Sequence, residues 1–364
     1  MRYLFRASLL STLLTFSSNA MAADGYLAKP GEADSTMNFQ RDSVQLAGCE
    51  VASACSGGCN DNTGILSSCN KPMKISTRGC DVGDWLDNTT VSSGAEAFKS
   101  IGDTFIPPGP ASGYMNSAGF VNGINTGFRL GNSKIRGQIG GSLGIYDLKG
   151  RDTFPNTAAS ETQVFSTTGV FKRSDVTNGD RVSWGLVYDQ LWNSQYGQVS
   201  DDIYLGQFRG IVGLALNECN EVGVWGTAKT NSDATAQGFN GAQGLGTQVE
   251  SINQYNLFLS HNFSFGARSM FYIGTTDHSS IGSWTTGSQL VAPMSPRVSL
   301  YGNTAFLFPS STVGATGSNE YLWAISTGLN YSFGKKSVSR NISGQAGMPL
   351  LPVANNGTFL IGNK

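Results

Sequence analysis

The sequence predicts an all-β fold, an antiparallel transmembrane β-barrel of about twelve strands with an irregular N-terminal extension and a C-terminal tail. Three observations predict it. Large apolar residues alternate with small or polar ones over long stretches, which is the pattern of strands with two different faces. Stretches such as residues 115–130 exceed the about 5–6 residues of a common soluble strand and satisfy the about 9–11 that a membrane-crossing strand needs. Charged residues make up only 13% of the chain, against a usual share of about 25%.

Composition and charge exclude two other classes of protein. The chain has 24 basic and 25 acidic residues and a formal net charge of −1, which argues against nucleic acid as a partner. Hydrophobic residues account for 39% of the chain, and past the N-terminus no run approaches the about 18 apolar residues of a spanning helix. A helical membrane protein is therefore not expected.

The N-terminus has the three parts of an export signal. Met1–Arg6 carries positive charge, Ala7–Phe16 is apolar, and Ala20–Ala22 forms a small-residue cleavage site. We expect residues 1–22 to be a signal peptide, cleaved near Ala22, and the mature protein to reach the bacterial outer membrane.

Residues 23–87 form a Cys-rich segment that we expect to be a periplasmic extension. Six cysteines in an exported chain indicate disulfides; they are Cys49, Cys55, Cys59, Cys69, Cys80 and Cys219. Their spacings fit no C-x-x-C pair, and the two histidines, His261 and His278, are distant in sequence, so zinc is the weaker alternative. The sequence predicts neither a metal nor a cofactor.

Residues 88–334 carry the barrel. The predicted strands are 88–98, 115–130, 134–148, 160–173, 181–194, 202–216, 221–231, 249–263, 267–276, 284–292, 297–308 and 320–334. The strands 88–98 and 284–292 alternate poorly, so ten strands is the alternative. A secreted sandwich or solenoid would also alternate, but long strands with aromatic residues at their ends favour a barrel in a membrane.

The connections between these strands alternate between short and long. Bacterial barrels place short turns in the periplasm and longer loops outside. Cys219 lies in the short connection Asn217–Asn220 and so on the periplasmic side, where residues 23–87 also begin. We hypothesise one disulfide from that segment to Cys219 and two within the segment.

The last predicted strand ends in the aromatic pattern Leu329-Asn-Tyr-Ser-Phe333, and residues 335–364 follow as a tail that contains MPLLPVANNGTFLIG. With the export signal, the Cys-rich stretch and this tail, the chain resembles a family of uncharacterised bacterial outer-membrane barrel proteins, a domain of unknown function. The resemblance implies a barrel in the outer membrane and assigns no catalytic residue.

The candidate functional residues are those that alternation directs into the lumen. They are Arg129, Arg136 and Arg209, with Asp189 as the opposing acid. Inward arginines select anions or carboxylated solutes by their field and by bidentate hydrogen bonds. The alternative is an Arg and Asp network that braces a closed lumen, which loop 232–248 or the N-terminal segment would plug.

We therefore predict a small porin-like passive pore or a structural surface protein, with outer-membrane lipid and small solutes as partners and no enzymatic activity. A barrel enzyme of the phospholipase type is one alternative, because His278-Ser-Ser280 and His261-Asn-Phe-Ser264 resemble a His and Ser pair. The first lies in a predicted outer loop, without a strand to hold the pair, and in the second the two residues are three positions apart and would point to opposite faces of a strand. An adhesion or binding protein that uses its outer loops is the other alternative.

Overall fold

The computed structural model describes residues 82–100, 116–131, 133–151, 159–196, 201–234, 248–278, 281–309, 322–334 and 347–363. The predicted signal peptide and five of the six cysteines lie outside these residues, so the cleavage site and the disulfide set stay predictions. A six-residue helix, α1 (Val82–Asp87), precedes the strands.

Twelve strands form a closed antiparallel barrel. They are β1 (Thr89–Lys99), β2 (Ser117–Arg129), β3 (Arg136–Arg151), β4 (Ala159–Lys172), β5 (Val182–Tyr196), β6 (Asp201–Ala215), β7 (Asn220–Lys229), β10 (Gln254–Asn262), β11 (Arg268–Thr276), β12 (Gly282–Pro293), β13 (Val298–Pro309) and β14 (Leu322–Ser332). Each strand pairs with its neighbours in this order, and β1 pairs with β14 from Thr90↔Ser332 to Lys99↔Trp323. The predicted fold and strand number are confirmed, including the two strands that alternate poorly.

Three further strands form a small separate sheet in the order β15-β9-β8. They are β8 (Ser232–Ala234), β9 (Gln248–Ser251) and β15 (Ile361–Asn363). The prediction of one continuous strand over 249–263 is therefore wrong. The chain leaves the barrel ladder before Gln254, because Ile252 N donates to Leu360 O (2.7 Å) and Asn253 Oδ1 accepts from Lys229 N (2.6 Å).

Connections alternate between the two ends of the barrel, and the longest lie at one end as predicted; residues 197–200 and 277–281, which belong to predicted long connections, are short. Residues 130–135, 173–181, 216–219, 263–267 and 294–297 connect strands at one end, which we call the short-connection end. Gly179 and Gly266 take φ values of 78° and 94° in two of these turns, a region that residues with a side chain rarely adopt. The other connections lie at the opposite, long-connection end.

The two faces of the barrel wall differ as the alternation predicts. On β6 the side chain of Phe208 is 48% exposed while its neighbours Gln207 and Arg209 are buried. Leu257 on β10 is 62% exposed between the buried residues Asn256 and Phe258. The outer face is thus apolar and uncovered, which is expected of a wall that contacts lipid.

Aromatic residues mark both ends of this outer face. The ring centroids of Trp192 and Tyr204 lie 5.5 Å apart near the long-connection end. Those of Tyr331 and Phe333 lie 5.2 Å apart at the short-connection end. From Val182 to Trp192 the outer row of β5 extends about 33 Å along the strand. A tilt of about 40° makes this about 25 Å in height, which matches the apolar band of a membrane barrel. In the described part of the chain, no helix has the length and apolar content to cross a membrane.

Candidate functional site

The lumen contains a part of the chain itself. Residues 347–363, which we call the tail segment, run inside the barrel. Most of their side chains are buried; those with little exposure include Leu350, Leu351, Ala354, Asn356, Thr358, Phe359, Leu360 and Ile361. Sequence analysis named loop 232–248 and the N-terminal segment as the candidate plugs. Among the described residues, the segment that lies in the lumen is the tail; residues 235–247 of the loop and residues 23–81 of the N-terminal segment lie outside the described residues.

The tail segment enters at the short-connection end. Arg173, directly after β4, donates from Nε to Met348 O (2.8 Å) and from Nη2 to Pro349 O. A side chain on Gly127, near the end of β2, would collide with Gly347 O. Close backbone approach here depends on glycine, because a Cβ atom would occupy the space that the tail takes.

Backbone carbonyls of the tail accept hydrogen bonds in the middle of the lumen. Gln138 Nε2 on β3 donates to Leu351 O (2.6 Å), and Asn125 Nδ2 on β2 donates to the same oxygen (3.0 Å). Arg209 Nη2 on β6 donates to Pro352 O (2.7 Å). Without these donors the carbonyls would be buried and unpaired, which costs free energy. The hydrogen bonds remove that cost.

Arg209 and Asp189 form a buried ion pair on the wall beside the tail. Their side chains are 2% and 0% exposed, and Arg209 Nε lies 2.8 Å from Asp189 Oδ2. Thr167 Oγ1 donates to Asp189 Oδ1 (2.7 Å) and accepts from Ala354 N (2.9 Å). The pair and Thr167 thus connect strands β4, β5 and β6 to the tail.

A second polar cluster lies towards the long-connection end. Asn356 Nδ2 donates to Glu96 Oε2 on β1 (3.0 Å) and to Gln163 Oε1 on β4 (2.8 Å). Tyr146 OH on β3 also donates to Glu96 Oε2, and Glu161 Oε1 accepts from Asn193 Nδ2 (2.6 Å). Asn356 therefore binds two wall strands, β1 and β4, which are separated by β2 and β3.

An apolar cluster closes the lumen at the long-connection end. It contains Phe165, Leu191, Tyr196, Ile203, Leu205, Val249, Ala354, Phe359 and Ile361. The Phe359 and Phe165 rings lie 5.9 Å apart. Ile361 then pairs with Ser251, so the tail ends in the small sheet with β9.

This apolar part of the inner wall was not predicted from the sequence. Phe165, Leu191 and Leu205 belong to the inner row and are buried, although the alternation was interpreted as a small or polar inner face. The signal was present in the sequence, because these residues adjoin outer apolar residues and so interrupt strict alternation. Apolar residues on both faces indicate that something covers the inner face as well.

The other predicted residues lie at the short-connection end of the barrel. Arg129 and Arg136 are cross-strand partners at the short-connection end, where Arg129 is exposed and Arg136 half-buried. Cys219 is buried in the connection before β7, and the cysteines predicted as its partners lie outside the described residues.

The structure describes His261 and Ser264 but only His278 of the His278-Ser-Ser280 motif. His261 is on the outer row of β10, where its Nδ1 lies 2.8 Å from Asn220 Oδ1 and its ring contacts Phe263 edge-on. His278 is in a connection, and Ser279 and Ser280 lie outside the described residues. Among the residues that the structure describes, no group of three or more His, Cys, Asp or Glu is placed to hold a metal ion.

Little free space remains beside the tail. A cavity of about 10 Å³, room for about one water molecule, lies between the tail and the wall formed by β1 and β11–β14. Its polar lining includes Glu96, Gln289, Asn303, Ser326 and Thr358.

Comparison with solved structures finds other barrels. The Salmonella typhi outer membrane phospholipase dimer with bound calcium is 10% identical with a TM-score of 0.40, covering 66% of this chain and 90% of its own. A Pseudomonas aeruginosa FadL homologue is 10% identical (TM-score 0.35, 67% and 89% covered), and the transport unit of the Escherichia coli autotransporter AIDA-I is 13% identical (TM-score 0.34, 74% and 93% covered). At these values the similarity carries no argument about function.

Comparison with curated proteins finds no match. A family model described as a family of unknown function (DUF6666) matches residues 88–361, from the residue before β1 to the first residue of β15. The match thus includes the tail segment together with the barrel. The chain belongs to this family of unknown function, DUF6666.

Proposed function

We propose that this protein is a bacterial outer-membrane barrel that its own C-terminal segment keeps closed, and that it acts as a structural surface protein. The observation that carries the proposal is the tail segment, which occupies the lumen from one end to the other. A passive pore needs an open path, and the tail lies along that path, with its side chains and carbonyls bound to the wall.

The outer wall supports the membrane location. Exposed apolar side chains cover it, aromatic pairs such as Trp192 and Tyr204 lie near its ends, and the apolar height is about 25 Å. The short-connection end then faces the periplasm and the long-connection end faces outward.

The lumen arginines support a closed barrel more than an anion filter. A filter arginine must present its donors to a passing solute. Arg209 instead directs its donors to Asp189 and Pro352 O, and Arg173 directs two to tail carbonyls. In this conformation both arginines bind the tail.

Conductance of the full-length protein in planar lipid bilayers tests the proposal. We expect no steady ion current from the natural protein. Asn356→Asp should produce current, because it places a second negative charge beside Glu96 and removes the amide donor that holds the tail.

Asn116→Asp is the matched control, since it adds the same charge at an exposed residue before β2 and should leave the barrel closed. A steady current from the natural protein would contradict the proposal and favour the porin-like pore.

A further inference from the structure

The tail segment has a defined direction through the barrel. Its first residues lie at the short-connection end, where Arg173 binds the carbonyls of Met348 and Pro349. Gly347 also lies against Asn88, which directly precedes β1. Since β1 begins and β4 ends at this same end of the barrel, the entry of the tail is fixed there by the wall itself.

The end of the tail is fixed at the opposite end. Ile361, Gly362 and Asn363 pair with Ser251, Glu250 and Val249 of β9. β9 belongs to the connection between β7 and β10, which lies at the long-connection end. Lys229 Nζ, at the last residue of β7, contacts Glu250 Oε1 and so ties this sheet to the rim of the barrel.

Two hydrogen bonds from the wall also hold the end of the tail in the lumen. The carbonyl of Thr358 accepts from Gln207 Nε2 (3.0 Å) and from Gln254 Nε2 (3.2 Å), which lie on the separate wall strands β6 and β10. Phe359 and Ile361 belong to the apolar cluster beyond them. Burial of these apolar side chains stabilises the end of the tail in this position.

We infer that the barrel carries the C-terminal part of its own chain to the outer surface of the cell, so that the chain leaves the lumen on that side after Gly362. This inference rests on the proposed function, because it takes the long-connection end to face outward. The barrel then has a second activity besides closure, which is to present the C-terminal residues, and any sequence attached after them, outside the membrane.

Epitope labelling of cells that express the full-length protein tests the inference. One variant carries a short epitope after Lys364, a second carries it after Gly241 in the connection between β8 and β9, and a third carries it after Ser295 in a short connection. Antibody binding is compared in intact and permeabilised cells. We expect the first two epitopes to be labelled fully in intact cells and the third only after permeabilisation.

A single cysteine is a smaller probe, which tests whether the size of the epitope prevents the chain from passing through the lumen. Lys364→Cys should react with a membrane-impermeant maleimide in intact cells, at the level that it reaches after permeabilisation.

If the Gly241 epitope is labelled in intact cells while both C-terminal probes need permeabilisation, the inference is wrong and the proposed function stands. If the Gly241 epitope also needs permeabilisation, the orientation in the outer membrane is wrong, and the inference fails with it.

Discussion

At the scale of single residues, Arg209 and Asp189 form a buried ion pair beside the tail. Two charges removed from water are stable only when each is compensated, and removing one partner leaves an uncompensated buried charge. Here the compensation comes from the ion pair, from Thr167 and from a carbonyl of the tail. The pair therefore couples the wall to the tail.

Arg209→Ala should lower the free energy of unfolding by about 3–5 kcal/mol, because Asp189 stays buried without its cation. The double variant Arg209→Ala and Asp189→Ala should lose less than the sum of the two single losses. Arg181→Ala, at an exposed position, is the control and should change stability by less than about 0.5 kcal/mol. Equilibrium unfolding in detergent measures the two single variants, the double variant and the control. Additive losses would argue against coupling.

Asp180 provides a titratable contact outside the membrane, in the connection between β4 and β5. A hydrogen bond and the charge of Lys172, whose Nζ lies 2.7 Å from Asp180 Oδ2, lower the pKa of this carboxyl. A lowered pKa in the folded state adds stability above the pKa of the unfolded chain, and this stability is lost as the pH falls through the folded pKa.

Lys172→Ala should therefore raise the pKa of Asp180 towards its ordinary value, measured by carboxyl chemical shifts during an NMR titration. Lys134→Ala should have a smaller effect, because Lys134 is 64% exposed and its Nζ lies 3.5 Å from Asp180. An unchanged pKa in the Lys172 variant would show that another group holds the carboxylate.

At the scale of elements, the strands could be predicted from the sequence and the tail could not. The outer row of each strand meets one uniform environment, so a period of two appears in the sequence. The tail meets the wall on several sides and is held largely through the carbonyls of Met348, Leu351 and Pro352, which any sequence possesses. Its lumen position therefore leaves no periodic pattern.

Gly357 tests how closely the tail fits the wall. A Cβ atom there would lie 2.9 Å from the Cβ atom of Ala305 on β13, which is too close for two carbon atoms. Gly357→Ala should lower the melting temperature, since overpacking of this kind costs about 1–3 kcal/mol.

The compensating change is Ala305→Gly, which removes the opposing methyl group. The double variant should melt above Gly357→Ala alone, although each single change is destabilising. If Ala305→Gly only lowers stability further, the tail does not lie against β13.

At the scale of the whole molecule, the closed barrel of twelve strands followed from alternation, strand length and the connections. The content of the lumen did not follow, because long-range contacts between the tail and β1, β3, β4 and β6 have no signature in one sequence. Alternation was enough to predict Arg209 and Asp189 as inward residues, whereas the hydrogen bond from Arg209 to Pro352 O could not be predicted without the position of the tail.

The central claim is that the tail occupies the lumen, and an engineered disulfide tests it most directly. A Cβ atom on Gly357 would lie 3.9 Å from the Cβ atom of Ala324 on β14, within the range of disulfides at about 3.5–4.5 Å. The full-length test variant carries Gly357→Cys, Ala324→Cys and Ala305→Gly. The control variant carries Gly357→Cys and Gly302→Cys, because Gly302 lies on the outer row of β13.

After mild oxidation in native outer membranes, mass spectrometry of non-reduced peptides should find positions 324 and 357 linked and positions 302 and 357 unlinked. Absence of the link between 324 and 357, in a barrel that otherwise assembles, would contradict the account.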